Sequence, residues 1–172
     1  MKALNILAIF LLFTVATFAQ TQKIGWVNSE TILQQFAPAI KAQSDLDAMT
    51  SAWTKSIDSM ATGLQTDYAA AQKQFTSMTP DKQREVQQEL VQKEQYIQQF
   101  RQQKFGQPNG EIFIKQEQLL KPIKEQILKA IDSVRKAEGM NFVFDKTGEV
   151  LLLFADPQFD ITNVVLDKLK RG

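Results

Sequence analysis

The chain has 172 residues, 44% of them hydrophobic, with 20 Lys plus Arg against 19 Asp plus Glu. So even a balance gives no global field to draw in nucleic acid or acidic lipid. Cysteine and histidine are both missing, which removes disulfide staples, the commonest nucleophile and general base, and most transition-metal ligands; no catalytic residue, metal site or cofactor is expected, and the chain does not read as an enzyme.

Met1 to Ala19 carries Lys2, an apolar run from Leu4 to Phe18, and the ending Ala16-Thr17-Phe18-Ala19. A positive start, a short apolar core and small residues before a cut make a secretory signal. The run is shorter than the roughly 18 to 20 apolar residues of a membrane span. Cleavage after Ala19 is expected, and with Lys2 gone 19 basic residues face 19 acidic ones. No cysteine follows to carry a lipid anchor, and no later segment is apolar enough for stable membrane insertion.

Lys23-Ile24-Gly25-Trp26-Val27 predicts a short strand, with Asn28 or Ser29 able to cap a short helix over Glu30–Phe36. Pro38 suits the first turn of a long helix. From Leu46 the apolar positions are Leu46, Met49, Trp53, Ile57, Met60, Leu64, Tyr68, Ala71 and Phe75. Their steps of three and four repeat every eleven residues, which predicts a nearly straight or slightly right-handed stripe. Thr79, Pro80 and Asp81 then supply an N-cap, an N1 proline and a dipole-matched acid. A second helix starts there and most simply runs back along the first. Its stripe is Val86, Leu90, Ile97 and Phe100, with Lys93 and Lys104 in the remaining slots.

Phe105-Gly106-Gln107-Pro108-Asn109-Gly110 predicts a kink or short loop. Helix resumes near Glu111 with the stripe Leu120, Ile123, Ile127, Ile131 and Val134, bent at Pro122 and ended by Gly139 as a C′ residue. Met140 to Phe144 predicts a strand, Asp145-Lys146-Thr147-Gly148 a turn, and Glu149 to Ala155 a second strand of a hairpin. Asp160 can cap a last helix holding Val164, Val165, Leu166 and Leu169.

The strand over Glu149–Ala155 has no polar alternation, so it reads as buried on both faces. The only other strand signal, Ile24 to Val27, lies over a hundred residues earlier, so the two chain ends are expected to meet in one small sheet. The final helix can cover one face. The other cover is a second copy of the chain or the base of its own helical hairpin. The fold class expected is α+β, mainly α: a small β-sheet body from residues 20–37 and 139–172, and a long antiparallel helical hairpin arm over 38–138. Ile24, Trp26, Val150, Leu152 and Phe154 are the residues expected to mediate oligomerisation.

The chain after Ala19 resembles the Skp/OmpH family of periplasmic chaperones. The resemblance rests on the order of elements over about 150 residues, the strand Lys23-Ile24-Gly25-Trp26-Val27-Asn28, the hairpin Phe142-Val143-Phe144-Asp145, the run Leu119-Leu120-Lys121-Pro122-Ile123, and the tail Asp160-Ile161-Thr162 with Val165-Leu166 and Leu169. It implies a homotrimer in which three arms enclose a cavity. It also implies a periplasmic protein that holds unfolded outer-membrane β-barrel proteins there without ATP. The chain departs from the strongly basic pattern of the best-known members: residues 81–138 carry 11 Lys plus Arg against 9 Asp plus Glu. Lipopolysaccharide binding is therefore not carried over, and electrostatic help in capture should be weak. A structural or adaptor coiled coil with one fixed folded partner is the competing reading.

A chaperone surface needs adaptable apolar contacts. Met78 at the arm tip, and Val91, Tyr96, Phe105, Ile112 and Ile114 off the second helix's stripe, are the client-binding candidates. Scattered surface hydrophobics are also normal in any protein. Phe105, Ile112 and Ile114 flank the glycine-rich break, which could serve as a hinge for the arm.

Overall fold

The computed structural model describes residues 22–148 and 152–171. The signal segment, with its cut after Ala19, lies outside them, as do Glu149, Val150 and Leu151. The order is β1 (Ile24–Val27), α1 (Ser29–Gln35), α2 (Ala37–Gln74), a 3-10 turn (Phe75–Ser77), α3 (Pro80–Phe105), α4 (Glu111–Ala137), β2 (Phe142–Asp145), a 3-10 turn (Pro157–Phe159) and α5 (Thr162–Arg171). The fold is mainly helical with one small sheet made from both chain ends. It divides into two compact units, one built from the chain up to Ile32 together with Lys129 onward, the other from Leu33–Leu128.

In the first unit β1 and β2 pair in parallel, Ile24 opposite Phe142 and Trp26 opposite Phe144. A parallel pair needs a long crossover, and here everything from α1 to α4 supplies it. On the other edge of β1, Trp26 bridges Asp160, and Ile161 N–H donates to the Trp26 carbonyl at 3.0 Å. The Trp26 indole Nε1–H donates to the Asp156 carbonyl at 3.0 Å. The tail is thus bound to β1 before α5 begins. Asp160 Oδ1 accepts from the Thr162 N–H at 2.8 Å, and the Thr162 hydroxyl accepts from Asn28 N–H at 2.9 Å. Thr162, Val165 and Leu166 form the buried side of α5, and Ile161 is buried just before it.

Side chains alternate across a strand, so the register puts Ile24, Trp26, Phe142 and Phe144 on one face and Gly25, Val27, Val143 and Asp145 on the other. The second face is closed: Gly25 and Val27 are buried, and a Cβ on Gly25 would run into the Met140 side chain. Met140 is placed by the end of α4. Gly139, at φ 63°, takes the left-handed conformation; its N–H donates to the Lys136 carbonyl and the Met140 N–H to that of Arg135. That pair of bonds is a Schellman ending with glycine at C′, as the sequence predicts.

The hairpin partner over Glu149–Ala155 requires correction. The turn after β2 forms, with Gly148 N–H donating to the Asp145 carbonyl at 3.3 Å. Leu152–Ala155 nevertheless carry no strand, and Leu153 and Phe154 are 75% and 95% exposed. An unalternating strand is stable only with cover on both faces, and the described residues of the chain leave Leu153 and Phe154 without it. From Leu152 the chain continues without strand pairing until Asp160 bridges β1.

Asp145 ties β2 to the start of α1. Its Oδ1 accepts from the Ser29 N–H at 3.1 Å and from the Thr147 N–H at 3.1 Å. Asn28 caps the same helix by accepting from the Thr31 N–H at 2.8 Å. Burial alone would raise the Asp145 carboxyl, but the hydrogen bonds from Ser29 and Thr147 outweigh it and hold it below its usual 3.8. A depressed carboxyl stabilises the fold above the unfolded value and loses that contribution as pH falls through the folded one. Asp145→Asn should therefore flatten the acid limb of stability below about pH 3.8 and leave the slope between pH 5 and 7 unchanged. Urea midpoints read by Trp26 fluorescence in a Trp53→Phe background test this, and an unaltered acid limb would refute it.

In the second unit α2 and α3 run antiparallel. Cross-helix contacts fix the direction: Gln83 Nε2 donates to the Phe75 carbonyl at 2.7 Å, Lys93 meets Asp67 at 2.7 Å, and Phe105 meets Trp53 with ring centroids 5.9 Å apart. Thr79 caps α3, accepting from the Lys82 N–H at 3.4 Å, with Pro80 in its first turn. The 38 residues of α2 span about 57 Å at 1.5 Å per residue. Leu46 and Ile57 are buried along the predicted stripe, and most other members are half-buried; Tyr68 is exposed. Leu90 and Ile97 answer them from α3. Pro122 stands exposed within α4 without ending it.

Candidate functional site

The α2–α3 seam is thin in apolar side chains, and two lysines complete it. Lys93 occupies a stripe slot and binds Asp67 across the seam and Glu89 at 2.8 Å on its own helix. Those hydrogen bonds, the one to Asp67 foremost, push the Lys93 ammonium well above the usual lysine range. Lys104 sits 5.0 Å above the Trp53 ring and 5.5 Å from that of Phe100, a cation–π arrangement. Its ammonium also pairs with Glu111, on the far side of the glycine-rich break. Sequence reasoning placed both lysines on the stripe but missed the aromatic cluster around Lys104. The signal was Trp53 and Phe100, one on each stripe, with Phe105 beside them.

The break itself is tightly closed. Gly110 is buried, and its N–H donates to the Gly106 carbonyl at 2.5 Å. A Cβ on Gly110 would come within 2.7 Å of Gly106 backbone atoms and 2.9 Å of the Phe105 carbonyl carbon. Only glycine permits that approach. Gly110→Ala should cost about 1–3 kcal/mol, the usual range for overpacking. Gly63→Ala, in open space in mid-helix, should gain up to about 1 kcal/mol. Thermal melts followed by helix circular dichroism compare the two, and equal midpoints would refute the account of the break.

The client-binding candidates fall in different places. Val91 and Tyr96 are exposed on α3, but five residues apart they point roughly 140° from each other at 3.6 residues per turn. They do not form one patch. Phe105 is half-buried with its ring against Trp53. Met78 is half-buried at the tip, Ile112 is half-buried, and Ile114 is exposed on α4.

The oligomerisation candidates are brought together in part. Ile24 and Trp26 share the open face of the sheet with Phe142 and Phe144, and Lys146 Nζ lies 5.0 Å from the Trp26 ring. Ile24, Phe142 and Phe144 are exposed, Phe142 at 50%. Leu152 is half-buried, Phe154 is exposed, and Val150 lies outside the described residues. Phe142 and Phe144 were missed, although two aromatics at i and i+2 of a predicted strand already point to one face.

Among the described residues no group of three or more Asp or Glu side chains converges to hold a metal ion, and no helix is long and apolar enough to cross a membrane.

The sequence profile of the family described as outer membrane protein (OmpH-like) matches residues 23–169. No curated protein matches the chain. Among solved structures, a putative outer membrane chaperone (OmpH-like) from Caulobacter crescentus CB15 is similar in fold, with a TM-score of 0.75. It is 16% identical, and the match covers 88% of this chain and 85% of that one.

Proposed function

The chain belongs to the OmpH-like family, and from that premise we propose that it is an ATP-independent holdase chaperone of the periplasm. It assembles as a homotrimer through the open sheet face and the segment around Phe154. Its clients are unfolded outer-membrane β-barrel proteins, held between the helical arms. Residues 20–37 and 139–172 form the assembling body and residues 38–138 the client-binding arm. Cleavage after Ala19 delivers it to that compartment. Lipid insertion, nucleic acid and ATP have no part in this reading.

The observation that carries the reading is the arm's surface. A helical pair whose seam holds few buried side chains leaves apolar groups such as Tyr68, Val91 and Tyr96 in water. Single apolar groups spread along the arm each offer one weak contact, which suits many unfolded sequences. The near-neutral arm predicts that capture changes little with salt, because no large counterion release accompanies it.

Native mass spectrometry of residues 20–172 with a urea-unfolded outer-membrane barrel tests the whole reading. The expected spectrum shows three subunits, alone and with one client. Three subunits beside an aggregating client would favour a structural role with a fixed partner, and a single-chain mass would overturn the assembly.

A further inference from the structure

Deepening that reading, and resting on it, we infer that one side of the α2–α3 seam holds a subsite for a large apolar side chain of an extended, unfolded polypeptide. A groove of about 620 Å³ runs there, lined by Met60, Gly63 and Leu64 from α2 and by Tyr96 and Ile97 from α3, with Lys93 at its edge. Gly63 makes the depression: a Cβ there would meet nothing within 4 Å. The Tyr96 ring, 58% exposed, forms the opposite wall. Glycine in mid-helix weakens a helix relative to alanine, so the notch is a local cost that opens space beside an aromatic ring.

Charge excludes one class of occupant, and the lining favours another. Lys93 is the cation of this groove, and its ammonium is engaged by Asp67 and Glu89. One positive charge against two negative ones leaves the edge net negative. A carboxylate or phosphate headgroup would meet repulsion there, which disfavours fatty acids and anionic lipids. A neutral apolar side chain meets Met60, Leu64, Tyr96 and Ile97, including a flexible thioether and an aromatic face suited to varied partners.

The seam has a second groove on its opposite side, lined by Tyr68, Ala69, Phe75, Val86 and Leu90. Filling each in turn separates the two. Gly63→Leu fills the first and also favours helix, so the thermal midpoint should hold or rise. Its affinity for a urea-unfolded outer-membrane barrel should fall about tenfold or more, the scale of one lost apolar side-chain contact. Ala69→Leu, in the second groove, should bind within about twofold of the unchanged protein on the same scale. If the unchanged protein binds and Gly63→Leu binds equally well, the subsite is overturned and the chaperone reading stands. If the unchanged protein does not bind, both fall.

A second measurement covers a Gly63→Leu variant that fails to fold. The chain has no cysteine, so Gln92→Cys at the groove rim accepts a single environment-sensitive dye, and Gln72→Cys places the same dye on the second groove. A blue shift at position 92 alone on adding the unfolded barrel supports the subsite. A shift at position 72 alone, or a response at position 92 only to phosphatidylglycerol vesicles, overturns it.

Discussion

Replacing Phe142 and Phe144 together by glutamate is expected to reduce the protein to single chains, read by sedimentation velocity or native mass. The two rings stand opposite Ile24 and Trp26 on the open face of a two-stranded parallel sheet. Two strands alone are marginal in water, and here the closed face is already complete with Gly25, Val27 and Met140. The open face offers a contiguous apolar surface, and Leu153 and Phe154 lie exposed in the same unit. Burying one such ring is worth about 1.5–3 kcal/mol. Two unpaired carboxylates in its place add a desolvation cost of at least similar size. The association constant should therefore fall by a factor of about a thousand or more. The inner face of the sheet, Gly25 and Val27 with Met140, is untouched, so the unit should stay folded; Trp26 shares the open face with Phe144, so its emission should shift towards that of a solvent-exposed ring without reaching that of an unfolded chain. Tyr68→Glu, which adds charge to the arm and none to the sheet, should leave the mass unchanged. An unaltered mass for the double glutamate variant would move the assembly surface elsewhere.

What the sequence disclosed followed local chemistry. The Thr79-Pro80-Asp81 start, the Gly139 ending and the eleven-residue stripe of α2 were legible because caps, prolines and periodicity act over a few residues; the meeting of the two chain ends was legible because Ile24–Val27 was the only other strand signal. The parallel sense of the sheet was not, since no residue pattern distinguishes it. The Leu152–Ala155 part of the expected hairpin strand was misjudged for a related reason. Its composition records a need for cover, and a pattern cannot say which molecule supplies it. Leu152–Ala155 have strand composition without a strand partner among the described residues. The candidate surface on the arm was harder still. Apolar residues off the stripe, such as Val91 and Tyr96, look alike in sequence, and only the partner helix shows that Tyr96 adjoins the notch at Gly63.

The other large effect is expected from Val165→Asp, which should unfold the sheet unit at pH 7 and spare most of the arm. Val165 is 0% exposed on the buried side of α5, next to Ile161 and Leu166. No arginine or lysine of α5 shares that side: Lys168, Lys170 and Arg171 are exposed. A carboxylate introduced there is desolvated, with no α5 cation on its side to pair with. Such burial raises a carboxyl by roughly 3–5 pH units, which at about 1.4 kcal/mol per unit costs about 4–7 kcal/mol at neutral pH. That matches or exceeds the stability of many small domains. The tail would leave β1, taking with it the Ile161 bond to the Trp26 carbonyl and the Thr162 bond to Asn28. Because α2 and α3 belong to the other compact unit, their helical signal should largely persist while Trp26 fluorescence becomes that of an unfolded chain. The sign with pH follows from the raised carboxyl: the penalty is full above the folded value and relaxes as pH falls towards the unfolded one, so lowering pH from 7 to 5 should restore part of the Trp26 signal. Val165→Ala removes two methyl groups without charge, should cost about 2 kcal/mol, and should show no such recovery. Loss of arm helicity in step with the Trp26 signal would mean that the two units fold as one.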